Sequence, residues 1–253
     1  MLEVKKMPRQ ARVKSKSGIY HIMLRGINRQ QIFEDEEDNL KFLKILAEYK
    51  PICKYKIYAY CLMGNHAHLL IKEEFEEIQQ IMKRIAGKYV YWYNGKYQRT
   101  GHLFQDRFKS EPIEDEKRFF AVLKYIHQNP VKAGISTEIG EYPYNSYNEY
   151  VTGEKIVDTD FVNEMIGKEQ FVQLHEKFDE TKCLEMKETP CRVTDEQAKR
   201  MIARLSKCES ATEFQRLETE KRNQWIADFK KRGLSIRQIS RLTGISKGIV
   251  ERT

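Results

Sequence analysis

No apolar run in this chain approaches the ~18–20 residues that a membrane span requires, so no membrane is expected as a partner. Cysteine is scarce and poorly spaced for cross-linking. There are five, Cys53, Cys61, Cys183, Cys191 and Cys208, with no Cys-x-x-Cys pair and an odd count. That pattern argues against a disulfide framework or a structural zinc site and points to a reducing cytoplasm. The segment Met1 to Lys16 is basic and lacks both an apolar stretch and a cleavage site, so it does not read as a secretory signal. No internal repeat or low-complexity tract is present, which excludes a solenoid. What remains is a chain of 253 residues, 40% hydrophobic and 32% charged, with room for one large or two small domains.

The charge is sorted along the chain. The net value of +8 is made of +7 over residues 1–33, −4 over 34–78, +6 over 79–134, −8 over 135–190 and +7 over 191–253. Three basic blocks alternating with two acidic ones can build basic faces that attract a polyanion, nucleic acid first among them. Any single block also reads as a solvated helix face.

Residues 1–17 read as a flexible basic arm. Ile19 to Leu24 reads as a strand, Asp35 to Tyr49 as a one-sided helix, and Tyr55 to Met63 as a strand rich in aromatic residues. Gly64-Asn65 suits a two-residue hairpin turn, with Gly tolerating positive φ at its first position. His66 to Ile71 is then the returning strand. Phe75 to Tyr93 is helical, Gly95 to Gly101 is loop, and Leu103 to Ile113 holds a short strand. Asp115 to Gln128 is a helix that Pro130 is expected to close. The first six elements have the order of a ferredoxin-like, four-stranded antiparallel sheet with helices on one face, an α+β fold. Three segments follow from this pass: a domain over 1–150, an acidic and partly helical linker over 151–190, and a small all-α domain over 191–253.

The last segment holds two helical stretches, Thr194 to Leu205 and Glu218 to Lys231, and then a helix-turn-helix pattern. Ser235 with Gln238 makes a capping box. Ile236, Ile239 and Leu242 line one helix face, Gly244 supplies the turn, and Ile245 plugs the angle. Ser246 is placed to cap a second helix packed through Ile249 and Val250. A generic α-hairpin is the competing reading. As a DNA-binding unit it would put Lys247, Glu251 and Arg252 in a groove and Arg237 and Arg241 near phosphates of a duplex.

Chemistry concentrates elsewhere. His66 and His68 sit two apart on a strand, so both imidazoles project to one face and can ligate one divalent ion. Two surface histidines are the plainer reading, but Leu69, Leu70 and Ile71 bury the rest of that strand and place the pair on a central element. Tyr125 and Asn129 are four apart and share a helix face. An Asn oxygen can complete an oxygen and nitrogen set suited to magnesium or manganese. Read alone, Tyr125 is equally a packing residue and Asn129 a helix terminator.

Three stretches together, Met63-Gly64-Asn65-His66-Ala67-His68-Leu69-Leu70, Gly101-His102-Leu103-Phe104-Gln105-Asp106-Arg107-Phe108 and Tyr125-Ile126-His127-Gln128-Asn129-Pro130-Val131-Lys132-Ala133-Gly134, resemble the single-tyrosine HUH transposases, the REP-associated tyrosine transposase branch above all. The opening Tyr20-His21-Ile22-Met23-Leu24-Arg25-Gly26 and Gln31-Ile32-Phe33 are similar to that branch too. The resemblance covers about residues 7–150. Many relatives carry Pro at the position of Gly64, and only some carry a C-terminal helix-turn-helix.

The resemblance implies that His66 and His68 hold a divalent metal, Mg2+ or Mn2+, and that Tyr125 is the nucleophile. Asn129 falls where relatives place a third, amide ligand, usually Gln; His127 is an alternative, although it points to another side of the helix. The implied substrate is single-stranded DNA folded as an imperfect hairpin of palindromic repeats. Arg25, Arg29, Lys83, Arg84, Lys88, Arg107 and Lys109 are then candidates for phosphate contacts, and Tyr89, Tyr91, Trp92 and Tyr93 for stacking on unpaired bases, or else for half core and half surface. The implied activity is metal-dependent endonuclease and strand transfer, in the cytoplasm at the nucleoid, with a homodimer as one option. A rolling-circle initiator or relaxase would use the same chemistry, but no helicase-like phosphate loop is present. A helix-turn-helix regulator carrying an inactive transposase domain is the non-enzyme alternative.

Overall fold

A computed structural model describes residues 12–153, 156–176, 183–184, 195–208, 210–231 and 234–253. They form two compact units. Of the described residues, one unit takes in those of 12–25 and 31–184, and the other those of 26–30 and 195–253.

The first unit is built from β1 (Ile19–Arg25), α1 (Glu36–Cys53), β2 (Tyr55–Met63), β3 (His66–Glu73), α2 (Ile78–Lys96), β4 (Lys109–Ile113) and α3 (Glu116–Lys132). The strands make one sheet in the order β2-β3-β1-β4, and every neighbouring pair is antiparallel. This is the ferredoxin-like arrangement expected from the element order. It makes β3, the His66 and His68 strand, and β1 the two central strands.

Strand alternation sorts the side chains by face. Register places Met23 opposite His68 and Arg25 opposite His66, so His21, Met23 and Arg25 share a face with His66 and His68. Tyr20, Ile22 and Leu24 share the other face with Ala67, Leu69 and Ile71. On that second face α1 and α2 pack together, and Tyr55 Oη donates to the Leu46 carbonyl of α1 at 2.7 Å. The histidine face is closed instead by α3, whose Phe119 meets Tyr58 of β2 edge-on at 5.2 Å.

Helix ends follow their caps. Asp35 and Glu36–Asp38 start α1 with a capping box, and the Asp115 side chain accepts from Arg118 N to start α3. Two expected ends were too early. Helix α1 runs through Pro51 to Cys53, and α3 runs through Pro130 to Lys132. A proline in the last turn removes one hydrogen bond without forbidding helix. In α3 the Asn129 side-chain amide donates to the Tyr125 carbonyl at 2.9 Å, and Ala133 N donates to the Asn129 carbonyl at 2.9 Å, so the turn stays bonded around the proline. The Gly64-Asn65 hairpin forms, but Gly64 is not among the positive-φ residues. Its carbonyl accepts from Ile32 N and Phe33 N, at 2.8 and 3.0 Å, and its missing side chain leaves room for that of Gln31.

Two segments are more ordered than expected. Residues 1–11 of the proposed arm lie outside the described residues, but Arg12 stacks on Phe108 at 3.7 Å and donates to its carbonyl at 2.9 Å. The stretch 151–190, read as a partly helical linker, holds the end of α4 (Tyr147–Thr152) and all of α5 (Asp160–Glu176), and Val157, Val162 and Phe171 are buried in the first unit's core. Phe171 stacks on Tyr150 at 4.4 Å. The acidic side chains of this stretch obscured a sparse apolar stripe interrupted by a backbone kink at Gly167.

The second unit holds α6 (Asp195–Ser206), α7 (Ala211–Gln215), α8 (Thr219–Lys231), α9 (Ile236–Thr243) and α10 (Lys247–Arg252) around Ile202, Phe214, Ile226, Phe229, Ile239, Ile245 and Val250. Ser235 and Gln238 form the expected capping box, and Gly244 takes the left-handed conformation at φ 70°. Ser246 occupies the N-cap of α10 without a side-chain cap bond. Among the described residues no helix is long and apolar enough to cross a membrane.

Candidate active site

On the histidine face of the sheet, four aromatic side chains come together. The His66 and His68 rings lie 5.1 Å apart and almost perpendicular. The His68 ring stands 5.5 Å from Tyr125, edge-on, and the His21 ring 5.9 Å from Tyr125. Tyr125 comes from α3 and the histidines from β3 and β1, so only the packing of α3 on this face unites them. His68, His21, Tyr125 and Asn129 are all buried.

Both imidazoles of the pair are held neutral. Burial pushes the His66 pKa down to about 4, helped by the positive charge of Arg25. The same desolvation, with His21, His66 and Arg25 adding to it, holds His68 well below the ordinary histidine range. Neutral imidazole is the form that binds metal. The Nδ1 atoms are engaged: His66 Nδ1 is 2.7 Å from Asn65 Oδ1, and His68 Nδ1 is 2.9 Å from His21 Nε2. Each ring therefore has Nε2 left to act as a ligand.

The set of donors has a clear limit. Among the described residues there is no group of three or more His, Cys, Asp or Glu side chains fit to hold a metal ion. Two imidazoles must be completed by an amide, by water or by substrate oxygens. Asn129 spends its NH2 on the Tyr125 carbonyl, which leaves Oδ1 as its remaining group. The donors fit a divalent ion that takes mixed nitrogen and oxygen ligands and stays partly open. His127 does not join them. It is fully buried, with Nδ1 2.8 Å from His175 Nε2 and Nε2 2.9 Å from Ser146 Oγ.

The candidate DNA contacts scatter. Arg25 lies at the site, opposite His66 on β1. Lys109 is exposed on β4 opposite Met23, which places it on the same face. Arg107 and Lys83 line a different hollow with Arg12 and Phe108. Arg84 is engaged by Glu76, Nε at 3.0 Å and Nη2 at 2.9 Å, and Lys88 is exposed. Arg29 falls in a 3-10 turn that groups with the second unit. Of the aromatic run, Tyr89 and Tyr93 are core, Trp92 is partly buried, and Tyr91 alone is widely exposed, at 83%. In the second unit Arg237, Arg241, Lys247 and Arg252 are all exposed, although Arg252 Nε donates back to the Gly248 carbonyl at 2.9 Å.

Sequence reasoning missed His21, Glu111 and Lys132. His21 was quoted within a motif but given no role. Its signal was alternation, since His21, Met23 and Arg25 must share a face. Lys132, one helix end away, lies 5.3 Å over the Tyr125 ring.

Residues 14–129 match the family model described as IS200-like transposase. Over those residues the chain is similar to the IS200-like transposases. A Haemophilus influenzae protein assigned to the REP-associated tyrosine transposases is 28% identical over 121 residues, covering 42% of this chain and 68% of the relative. The structure of a REP-associated tyrosine transposase bound to a REP hairpin aligns with a TM-score of 0.50 at 18% identity, over 61% of this chain and 96% of the other. That likeness shows the shared fold. A Deinococcus radiodurans structure assigned as a transposase aligns at a TM-score of 0.34 and 19% identity, over 48% of this chain and 97% of the other, too loosely to bear on it.

Proposed function

We propose that this protein is a metal-dependent transposase that cleaves and rejoins single-stranded DNA at palindromic hairpins through a 5′-phosphotyrosine on Tyr125. The observation that carries the reading is the Tyr125 ring packed 5.5 Å from His68, on the face that also bears His66. The relatives assigned as REP-associated tyrosine transposases, one of them bound to a REP hairpin, support the choice of substrate.

His66 and His68, with Asn129 as an amide ligand, would hold the ion. A bound Mg2+ or Mn2+ supplies Lewis acidity to the scissile phosphate. The chain's own residues do the rest. The α3 helix presents the Tyr125 oxygen, which attacks phosphorus in line; the bond from phosphorus to the 3′ oxygen breaks, and that oxygen takes up a proton. The products are a 5′-phosphotyrosine and a free 3′-hydroxyl. Attack by a second 3′-hydroxyl on the phosphotyrosine reverses the step and joins strands without ATP. A free Tyr has a pKa of about 10, so its proton must be drawn off as attack proceeds. Arg25 and Lys109, on the histidine face, would hold the DNA backbone, and the α9–α10 unit would bind duplex through Arg237, Arg241, Lys247 and Arg252.

The test is a denaturing-gel assay on single-stranded hairpin oligonucleotides from the gene's flanks, with Mg2+ or Mn2+. A protein–DNA adduct is expected with the intact protein. It should vanish with Tyr125→Phe and with chelator. An adduct that persists in Tyr125→Phe would overturn the assignment.

A further inference from the structure

On the reading that His66 and His68 hold a divalent ion, we propose that His21, backed by Glu111 and Arg118, is a positioning residue that fixes His68 with its proton on Nδ1 and its Nε2 lone pair turned to the ion. The relay begins at the edge strand. Arg118 grips Glu111 Oε1 through Nε at 2.7 Å and through Nη2. Oε2 of the same carboxylate is left 3.7 Å from His21 Nδ1, an ion-pair distance rather than a hydrogen bond. Among the described residues none makes a hydrogen bond to that nitrogen, although His21 is fully buried.

A carboxylate has acceptors only, so it favours a proton on the nitrogen that faces it. With its proton on Nδ1, neutral His21 has a lone pair at Nε2. That lone pair lies 2.9 Å from His68 Nδ1, which must then donate. His68 has one proton to give as a neutral ring, and it is spent there. Its Nε2 is left as a fixed acceptor, the arrangement by which outer partners orient metal-bound histidine.

His66 reaches the same state by a shorter route. Asn65 Oδ1, another acceptor, is 2.7 Å from its Nδ1. One ligand is therefore set by its sequence neighbour on the surface turn. The other is set by a chain of side chains from β1, β4 and α3, which registers the ligand to the same helix that carries Tyr125.

The experiment uses the full-length protein labelled with 15N. Long-range 1H–15N spectra of the metal-free protein read the tautomer directly, and His68→Gln identifies the His68 signals. The expected result is His68 protonated at Nδ1, moving toward Nε2 protonation in His21→Leu and staying in His21→Gln, whose carbonyl can accept the same bond. Mn2+ binding followed by electron paramagnetic resonance should weaken about 10–100-fold in His21→Leu and in Glu111→Leu, and recover to within a few-fold of wild type in His21→Gln. His68 protonated at Nε2 in the wild type overturns the relay, as does unchanged Mn2+ affinity in a folded His21→Leu. If His21→Leu does not fold, the wild-type tautomer and Glu111→Leu still decide. A wild type with Nδ1 protonation but no Mn2+ binding brings down the metal reading, and with it the purpose assigned here to the relay.

Discussion

The molecule buries two histidine pairs, and they differ in what is left over. In His127 and His175 every ring nitrogen is engaged. His175 Nδ1 donates to the Phe171 carbonyl at 2.7 Å, so its Nε2 accepts from His127 Nδ1, and His127 Nε2 faces Ser146 Oγ. Phe171, Tyr147 and Tyr150 surround the rings. In His21 and His68 only the two nitrogens that face each other are hydrogen-bonded; His21 Nδ1 stands 3.7 Å from Glu111, and His68 Nε2 belongs to a ring beside Tyr125. Burial and residue type are the same. The closed network fastens α3 to α5 and, through Ser146 Oγ on the Tyr60 backbone, to β2; the open one would leave a nitrogen for a ligand.

The comparison can be broken most forcefully by exchanging the two pairs' fates. His68→Ala should reduce adduct formation by more than the ~100-fold typical of losing only an outer partner of a metal site, with little loss of thermal stability. A large fall in melting temperature instead would make His68 a structural histidine like His127. Next comes Phe171→Ala, which opens the aromatic wall around the closed pair and should cost about 3–5 kcal/mol in denaturant unfolding of the first unit. A cost near zero would return residues 157–176 to the status of a linker.

The closed pair also sets a pH dependence. Burial lowers His175 to about 4 and, with the charge of His175 adding to it, holds His127 well below the ordinary histidine range. Below the ordinary histidine pKa of about 6.5 the unfolded chain binds protons that these folded rings refuse. Their contribution to stability is thus present in full above about pH 6.5. It falls as pH drops toward 4, by up to about 1.4 kcal/mol per pH unit for each ring. Unfolding curves of His175→Gln should show a shallower fall over that window; an unchanged slope would mean that the pair is not buried neutral.

Two glycines provide the smallest effects and a contrast between the units. Gly244→Ala places a side chain at φ 70°, against Gln215, and should cost about 1 kcal/mol or slightly more in the second unit. Gly64→Ala has no positive φ to contend with and meets only the tip of the Gln31 side chain, so a change of under about 0.5 kcal/mol is expected from chemical denaturation.

Much of this is legible in the residues themselves. Alternation placed His66 and His68 on one face, the helical spacing paired Tyr125 with Asn129, and the order of periodic segments led to the antiparallel sheet. The pattern Ser235, Gln238, Gly244 located the turn of the last two helices, because capping and left-handed backbone are local demands that particular residues meet. Three things escaped. Pro130 was read as a stop, yet side-chain bonding by Asn129 carries the helix past it. The stretch 151–190 reads as a partly helical linker, yet Val157, Val162 and Phe171 among many acids join the first unit's core. Tyr89 and Tyr93 were possible stacking surfaces, yet they lie in the core.

Local chemistry thus determined the strands, the turns, the caps and which residue types were available for metal and phosphate. Only tertiary packing decided that α3 would lie on the histidine face, that His21 and Glu111 from two other strands would stand behind His68, and that His127, two residues from Tyr125, would be sealed away. The reason is physical. Propensity and periodicity act within a few residues, whereas the contacts of His21 with His68 and Glu111, and of His127 with His175 and Ser146, each reach at least 19 residues along the chain, and sequence spacing carries no information about which of those distant groups will be the neighbour.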